Sequence, residues 1–380
     1  MKNLLKHFGG DRVIWALILI LTIYSGLAVA SSVASLAYRS GTDVTVFIIR
    51  HSSYLVGGWF IIYVTHLIPY RWYGIFAPLL MVVSVVLLTY TLIRGEAFNE
   101  AARWLKVPGT RLTFQTSDFA KMILIVFVAR YLSRHQAEIS EFKTGFLPVV
   151  LWIVLVCGLI MKANLSTAAI LFATCMLLLY IGRVKVLYLL GLAGVGVLVL
   201  SGYLLISSLS GAETRAGTWQ SRIETFTSGE GEQFQSKVAR IAIANGGMTG
   251  RFAGHSTQRH SLPEAHSDFI FAIIIEEYGF FFGALPLVFI FMILLYRAGV
   301  IVKRCDRTFP AFLAIGLALG MVLQAMANMG VAVGLLPVTG QPLPWISKGG
   351  TSIVFTGLAF GIILGISRSL DEEEAGLAKT

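Results

Sequence analysis

The chain has little charge and few cysteines for its 380 residues. Charged residues make up 13% of it, whereas a soluble domain carries about 25%, which excludes an ordinary soluble protein. The three cysteines, Cys157, Cys175 and Cys305, show neither pairing nor metal-ligand spacing, and we interpret them as packing residues. The chain also has no P-loop pattern and no basic stretch interleaved with aromatics. Nucleotide binding and nucleic-acid partners are therefore not expected.

The chain is rich in long apolar segments. Hydrophobic residues make up 56% of it, and its mean hydropathy is +0.77. Runs of about 20 apolar residues predict membrane spans. The predicted spans are 13–33, 46–67, 73–93, 117–132, 146–162, 164–181, 185–208, 268–296, 309–335 and 350–368. We predict an all-α integral membrane protein, a bundle of about ten transmembrane helices, forming a single polytopic domain over residues 1–380.

The basic residues predict how this bundle is oriented. With the N-terminus inside, the inner segments hold most of the lysines and arginines, and the short outer connections hold only Arg39, Arg50, Lys162 and Lys348. Both termini are therefore predicted to be cytoplasmic. The two long connections, 94–116 and 209–267, are predicted to face outward, the larger of them between the seventh and eighth spans. A net charge of +10 suits contact with anionic lipid or an anionic substrate.

One stretch places carboxylates where a loop becomes a membrane helix. Residues 260–281 read HSLPEAHSDFIFAIIIEEYGFF, with Asp268 at the boundary and Glu276 and Glu277 deeper in the apolar run. Carboxylates are costly in lipid, so this position indicates a functional site. The alternative is that Asp268 only caps the helix, which leaves Glu276 and Glu277 unexplained.

The two long outer connections are rich in basic residues. Arg103 lies in the first, Lys121 lies at the mouth of the next span, and Arg215 and Arg259 lie in the second. We predict a basic vestibule for a phosphate-bearing lipid, since arginine matches phosphate oxygens. The alternative is that long loops cross the membrane regardless of charge. Lys121 could either snorkel to the surface or face a cavity and pair with an acid.

Two further outer segments have distinctive compositions. Residues 95–121 mix apolar and charged residues and predict an interfacial amphipathic segment anchored by Trp104. Residues 334–352, GLLPVTGQPLPWISKGGTS, hold three prolines and four glycines, which cannot continue a helix. Non-helical backbone at membrane depth survives where it is buried in protein or lines a cavity. This segment therefore predicts a cavity wall, with Ser347 and Lys348 as polar contributors.

These motifs together resemble a known family. LPEAHSDFIFAIIIEEYG (262–279) and GLLPVTGQPLPWISKGGTS (334–352) resemble two signatures of the SEDS family, which includes FtsW, RodA and SpoVE. AARWLKVPG with QTSDFAK (101–121) resembles a third, and ANLSTA (163–168) resembles the family's PDLGTA turn only weakly. Thr116 and Asp118 replace the usual Pro and Glu, Lys348 replaces a Tyr, and RFAG (251–254) departs from GxGLG.

The resemblance implies a peptidoglycan glycosyltransferase that polymerises lipid II, the undecaprenyl-pyrophosphate-linked disaccharide-pentapeptide, at the outer face of the inner membrane. It implies that Asp268 is the catalytic acid/base residue, with its neighbours Glu264 and His266 at the substrate. The LPEAH form with PLPWIS is more similar to FtsW than to RodA. That implies a septal role with a class B penicillin-binding protein as transpeptidase, alongside other cell-division proteins.

The chemistry of this reaction sets further expectations. The attacking sugar hydroxyl needs a base, for which Asp268 is the candidate, and the leaving pyrophosphate needs positive charge. The candidates for that charge, in descending order, are Lys121, Arg103, Arg215, Lys348 and Arg259. A divalent cation could share the role, although no metal-ligand spacing is visible. Glu276 lies about 80° around the helix from Asp268 and is predicted to line the cavity, while Glu277 is predicted to pair with a basic group on another helix.

Two other functions remain open at this point. A lipid II flippase shares the polar cavity and the lipid, but transporters often show inverted repeats and midplane sites, and neither is visible here. A non-catalytic scaffold for the division machinery would need neither Asp268 nor the basic vestibule.

Overall fold

The computed structural model describes residues 9–94, 96–98, 101–106, 113–210, 219, 222, 225, 234–262 and 264–377. Its helices are α1 (Arg12–Ser40), α2 (Val44–Leu67), α3 (Tyr70–Arg94), α4 (Thr116–Arg134), α5 (Leu147–Ala163), α6 (Leu165–Ile181), α7 (Val186–Ser210), α8 (Phe234–Gly246), α9 (Ile270–Gly279), α10 (Leu285–Arg304), α11 (Thr308–Ala332) and α12 (Gly350–Leu377). Its strands are β1 (Glu96–Phe98), β2 (Ala101–Lys106) and β3 (Thr113–Gln115).

The helices have apolar surfaces as well as apolar interiors. In the described part of the chain, 7 helical segments are long and apolar enough to cross a membrane, and Leu165–Ile181 and Val186–Gly202 are shorter apolar helices. Leu187 is 76% exposed and Val56 is 69% exposed. Such surfaces suit contact with lipid tails rather than water. The prediction of an all-α membrane bundle is confirmed, while the number of about ten spans stays a prediction.

The eighth predicted span is not a continuous helix. α9 ends at Gly279, a π-helical turn follows at Phe280–Ala284, and α10 begins at Leu285. Gly279 has a φ of +71°, and a Cβ there would lie 2.4 Å from the Gly250 nitrogen. Only glycine fits this position, because it tolerates positive φ and lets the 246–250 turn approach closely. The break therefore follows from a tertiary contact.

The first long connection contains a small sheet. β1 pairs antiparallel with β2, and β2 pairs antiparallel with β3. Trp104 lies on the central strand opposite Glu96 and Gln115. The mixed composition predicted an interfacial segment here but did not indicate a strand order.

Helix α11 lies at the centre of the bundle. A Cβ at Gly316 would lie 2.9 Å from Ile125 Cγ2 of α4 and 3.0 Å from Leu178 Cδ2 of α6. Small residues permit this close approach of helices in a membrane, where packing rather than water release drives association. α11 therefore packs closely against both α4 and α6.

Helix α12 packs against α2 through a second set of glycines. A Cβ at Gly361 would lie 2.6 Å from Thr65 Cβ, and a Cβ at Gly365 would lie 3.0 Å from the His66 carbonyl oxygen. Gly357 and Gly58 approach each other on the same face. Glycines at intervals of four residues form one face of a helix, so the two backbones meet along their length.

Candidate active site at the loop junction

Asp268 lies in the turn that leads into α9. Its side chain is half-buried, and its Oδ1 accepts a hydrogen bond of 2.9 Å from Ser267 Oγ. The N-cap residue of α9 is Phe269, which makes no side-chain capping bond. Asp268 therefore lies one residue before the N-cap position of α9. The carboxylate lies beside the 334–349 loop, since a Cβ at Gly340 would lie 3.4 Å from Asp268 Oδ2.

The 334–349 loop is non-helical, as its prolines and glycines predicted. It is joined to the Asp268 segment by hydrogen bonds from two positions. Ser347 Oγ donates to the Ser267 carbonyl at 2.6 Å, and the Lys348 amide donates to the His266 carbonyl at 2.9 Å. Ser347 is 1% exposed and also accepts from the Leu343 amide. Ser347 therefore bridges two loops instead of presenting its hydroxyl to an open cavity.

Two side-chain amides on α11 donate hydrogen bonds to the backbone of the same junction. Asn328 Nδ2 donates to the Asp268 carbonyl at 2.8 Å and to the Gln341 carbonyl at 2.7 Å. Gln324 Nε2 donates to the Pro342 carbonyl at 2.9 Å. Sequence reasoning missed both residues, because each is a single amide inside a long apolar run.

Lys121 faces the interior and does not snorkel. Its Nζ lies 2.8 Å from Asp118 Oδ1 and donates to Gln324 Oε1 at 3.3 Å. These groups line a cleft of about 80 Å³ between α4, α6, α11 and α12. Ser352 and Thr356 add polar atoms, and the remaining wall is largely apolar. A cleft with a cation at one part and apolar walls elsewhere suits an amphiphile with an anionic head.

Lys348, His266 and Glu264 form a second polar cluster beside the N-terminal end of α2. Lys348 Nζ lies 4.5 Å from the centroid of the Phe47 ring. Burial and, to a smaller extent, nearby Arg50 lower the pKa of Lys348 to about 8, while Glu264 opposes the shift. Burial and the charge of Lys348 lower the pKa of His266 to about 4. At neutral pH His266 is thus neutral, and its 3.7 Å approach to Glu264 is not an ion pair.

Glu276 does not line the cavity, contrary to our prediction. It is 0% exposed, and it accepts hydrogen bonds from Thr257 Oγ1 at 2.8 Å, the Thr257 amide at 3.1 Å and the Gln258 amide at 3.3 Å. Glu276 lies on α9, but the 256–258 loop covers the face of the helix from which its side chain projects. Glu276 therefore anchors this loop.

Glu277 and Arg259 belong to the neighbouring part of the same buried cluster. Glu277 accepts from Ser31 Oγ of α1 and from the Ser256 amide. Arg259 Nη1 donates to the Gly254 carbonyl at 2.8 Å and to Ser31 Oγ at 3.3 Å. These contacts stabilise the second long connection against α1 and α9, while a substrate role for Arg259 stays a prediction.

Arg103 lies on β2, but its side chain lies outside the described residues, as does the whole of Arg215. Their predicted roles stay predictions. Among the described residues, no group of three or more His, Cys, Asp or Glu side chains is arranged to hold a metal ion.

A bundle of apolar helices, with a carboxylate at a loop junction and a lysine in a partly apolar cleft, defines a polytopic membrane protein. Comparison with known proteins identifies its family. Residues 11–372 match the family model described as "Cell cycle protein", so the chain belongs to the FtsW/RodA/SpoVE family. The SEDS resemblance is confirmed.

A curated relative and two solved structures illustrate the similarity. The chain is 32% identical to the probable peptidoglycan glycosyltransferase FtsW of Trichlorobacter lovleyi, over 95% of this chain and 93% of the relative. The structure described as "Structural coordination of polymerization and crosslinking by a peptidoglycan synthase complex" has a TM-score of 0.75 at 23% identity, covering 95% and 98% of the two chains. RodA of Thermus thermophilus has a TM-score of 0.69 at 22% identity, covering 95% and 97%. Its family membership and its apolar helices together identify the chain as a multi-pass inner-membrane protein.

Proposed function

We propose that the chain is a peptidoglycan glycosyltransferase that polymerises lipid II at the outer face of the inner membrane, with Asp268 as the base. The observation that carries the proposal is the junction where the half-buried Asp268 carboxylate meets the 334–349 loop. Membership of a family with relatives named probable peptidoglycan glycosyltransferases supports the reaction class.

In the proposed reaction, a sugar hydroxyl of one lipid II attacks the anomeric carbon of the growing chain. Asp268 takes the hydroxyl proton, a glycosidic bond forms, and the bond to the lipid pyrophosphate breaks. A positioned base contributes about 10²–10⁴-fold to such a step. The departing pyrophosphate carries away the bonding electrons, and nearby positive charge stabilises it.

Lys121 is our first candidate for that positive charge. Its ammonium group already has Asp118 at 2.8 Å and Gln324 at 3.3 Å, which fixes its direction within the cleft. A pyrophosphate would compete with Asp118 for the ammonium protons. Lys348, which keeps a cation–π contact with Phe47, is the next candidate with described geometry.

The biological setting is proposed on separate grounds. The distribution of lysine and arginine favours cytoplasmic termini, and the FtsW-like motifs favour a role at the division septum. A class B penicillin-binding protein is the proposed partner, since one similar structure belongs to a complex that coordinates polymerisation with crosslinking.

Polymerisation of lipid II by purified protein with its transpeptidase partner tests the proposal. We expect glycan strands from the native chain, and at least about 10²-fold slower synthesis from Asp268→Ala. Asp306→Ala is the matched control, because Asp306 is an exposed aspartate in the turn between α10 and α11 and should leave the rate unchanged.

Two outcomes would contradict the proposal. Equal rates from native protein and Asp268→Ala would remove Asp268 from the chemistry. Absence of polymer from the native complex, together with lipid II movement across vesicle membranes, would favour the flippase.

A further inference from the structure

Asn328 is a buried amide directly beneath the Asp268 turn. It is 1% exposed, and its Nδ2 donates to the main chain of both segments that form the junction, at Asp268 and Gln341. Both hydrogens of the amide nitrogen are thus used. Asn328 therefore fixes the position of the Asp268 backbone relative to the 334–349 loop.

The oxygen of the same amide does not contribute in this way. Asn328 Oδ1 is buried and makes no hydrogen bond within the described structure. A buried acceptor without a partner costs free energy. An apolar side chain of similar size would remove that cost but would leave the Asp268 and Gln341 carbonyls without their donor. Its distinctive contribution is the pair of hydrogen bonds that it donates.

Gln324 repeats the arrangement one turn earlier on α11. Residues four apart share a helix face, and Gln324 links Lys121 to the Pro342 carbonyl as Asn328 links Asp268 to the Gln341 carbonyl. The loop between them is fixed on its other side, because Gln341 Nε2 donates to Thr167 Oγ1 at 2.8 Å. One helix thus sets the positions of both charged groups.

We infer that Asn328 is a positioning residue for the Asp268 carboxylate, with Gln324 serving Lys121 in the same way. This inference rests on the proposed function. Neither amide needs to touch the substrate. Loss of the Asn328 bonds would free the turn that carries Asp268, and a misplacement of about 1 Å can slow an enzyme by about 10²-fold.

The test compares Asn328→Leu and Asn328→Ser with native protein in lipid II polymerisation. Leucine is similar in size and donates nothing, whereas serine keeps one donor. We expect kcat to fall about 10–100-fold for Asn328→Leu and less for Asn328→Ser, with KM changed by about threefold or less. Because leucine leaves the Asp268 and Gln341 carbonyls without this donor, we expect a lower midpoint of thermal unfolding for Asn328→Leu, and kcat is therefore compared per folded protein.

Asn164→Ala is the matched control, since Asn164 is another buried asparagine, 6% exposed, whose side chain caps α6. It should lose stability without a selective loss of kcat. Native kcat in Asn328→Leu would overturn the inference, as would activity losses that simply follow the folded fraction in both Asn328 variants. An active Asp268→Ala would instead overturn the proposed function, so the two failures are distinguishable.

Discussion

At the scale of single residues, Lys348 has a charge that changes near physiological pH. Its pKa of about 8 is set by burial and by Arg50, so the ammonium form is present below about pH 8 and is lost above it. If this charge helps to hold a pyrophosphate, kcat/KM for lipid II should fall as pH rises through about 8. Lys348→Arg should remove that fall, because arginine stays charged throughout.

Rates of lipid II polymerisation between about pH 6.5 and 9.5 for native protein and Lys348→Arg check this prediction. Superimposed profiles would exclude Lys348 as the source of the pH dependence.

Single residues also show where sequence reasoning succeeded and failed. The sequence predicted that Asp268 lies at a loop–helix boundary, and the structure places it in the turn just before α9. The sequence did not decide whether Lys121 extends to the membrane surface or faces a cavity and pairs with an acid. In the structure it pairs with Asp118, three residues earlier. Asn328 and Gln324 were missed, although amides four residues apart in an apolar helix are a signal, since polar groups are expensive in lipid.

At the scale of helices, α3 and α4 are joined where a proline interrupts the hydrogen bonding of α3. Pro78 has no N–H, so the Gly74 carbonyl lacks its partner four residues later. Arg130 Nη1 of α4 donates to that carbonyl and to the Ile75 carbonyl at 3.0 Å. The arginine therefore replaces the helical bond that proline removes.

A double-mutant cycle measures this compensation. Arg130→Met should lower the free energy of unfolding by about 1–3 kcal/mol, because a bond from a charged donor is lost. In a Pro78→Ala background the restored N–H should reduce that loss by about half or more. Thermal unfolding in detergent is the measurement, and an equal effect of Arg130→Met in both backgrounds would contradict the account.

Local composition predicted the helices better than it predicted their interruptions. Apolar runs located the helices approximately, because a helix that crosses a bilayer needs about 20 apolar residues. The break at Gly279 depends on the 246–250 turn packing against it, and the sheet at 96–115 depends on pairing between strands of three to six residues. Both require contacts between distant or irregular segments, which periodicity does not contain.

At the scale of the whole molecule, the account requires one orientation in the membrane. The Asp268 junction should face outward and the turn between α10 and α11 should face the cytoplasm. Ser261 and Asp306 are both exposed. Cysteine substituted at each position reports on which side of the membrane that position lies. Cys157 and Cys175 are buried, and Cys305→Ser removes the remaining partly exposed thiol.

In intact cells, a membrane-impermeant maleimide should label Ser261→Cys and spare Asp306→Cys until the membrane is opened. The reverse pattern would contradict the predicted orientation and the outer-face site.

The most direct test of the central claim measures lipid II binding and polymerisation side by side in Asp268→Asn. This variant keeps the size of the side chain and removes its ability to accept a proton. We predict a Kd for lipid II within about threefold of the native value, with polymerisation slowed by about 10²–10⁴-fold. Native-level polymerisation by folded Asp268→Asn would contradict the role of Asp268 as base, and a loss of binding that matched the loss of rate would make it a binding residue instead.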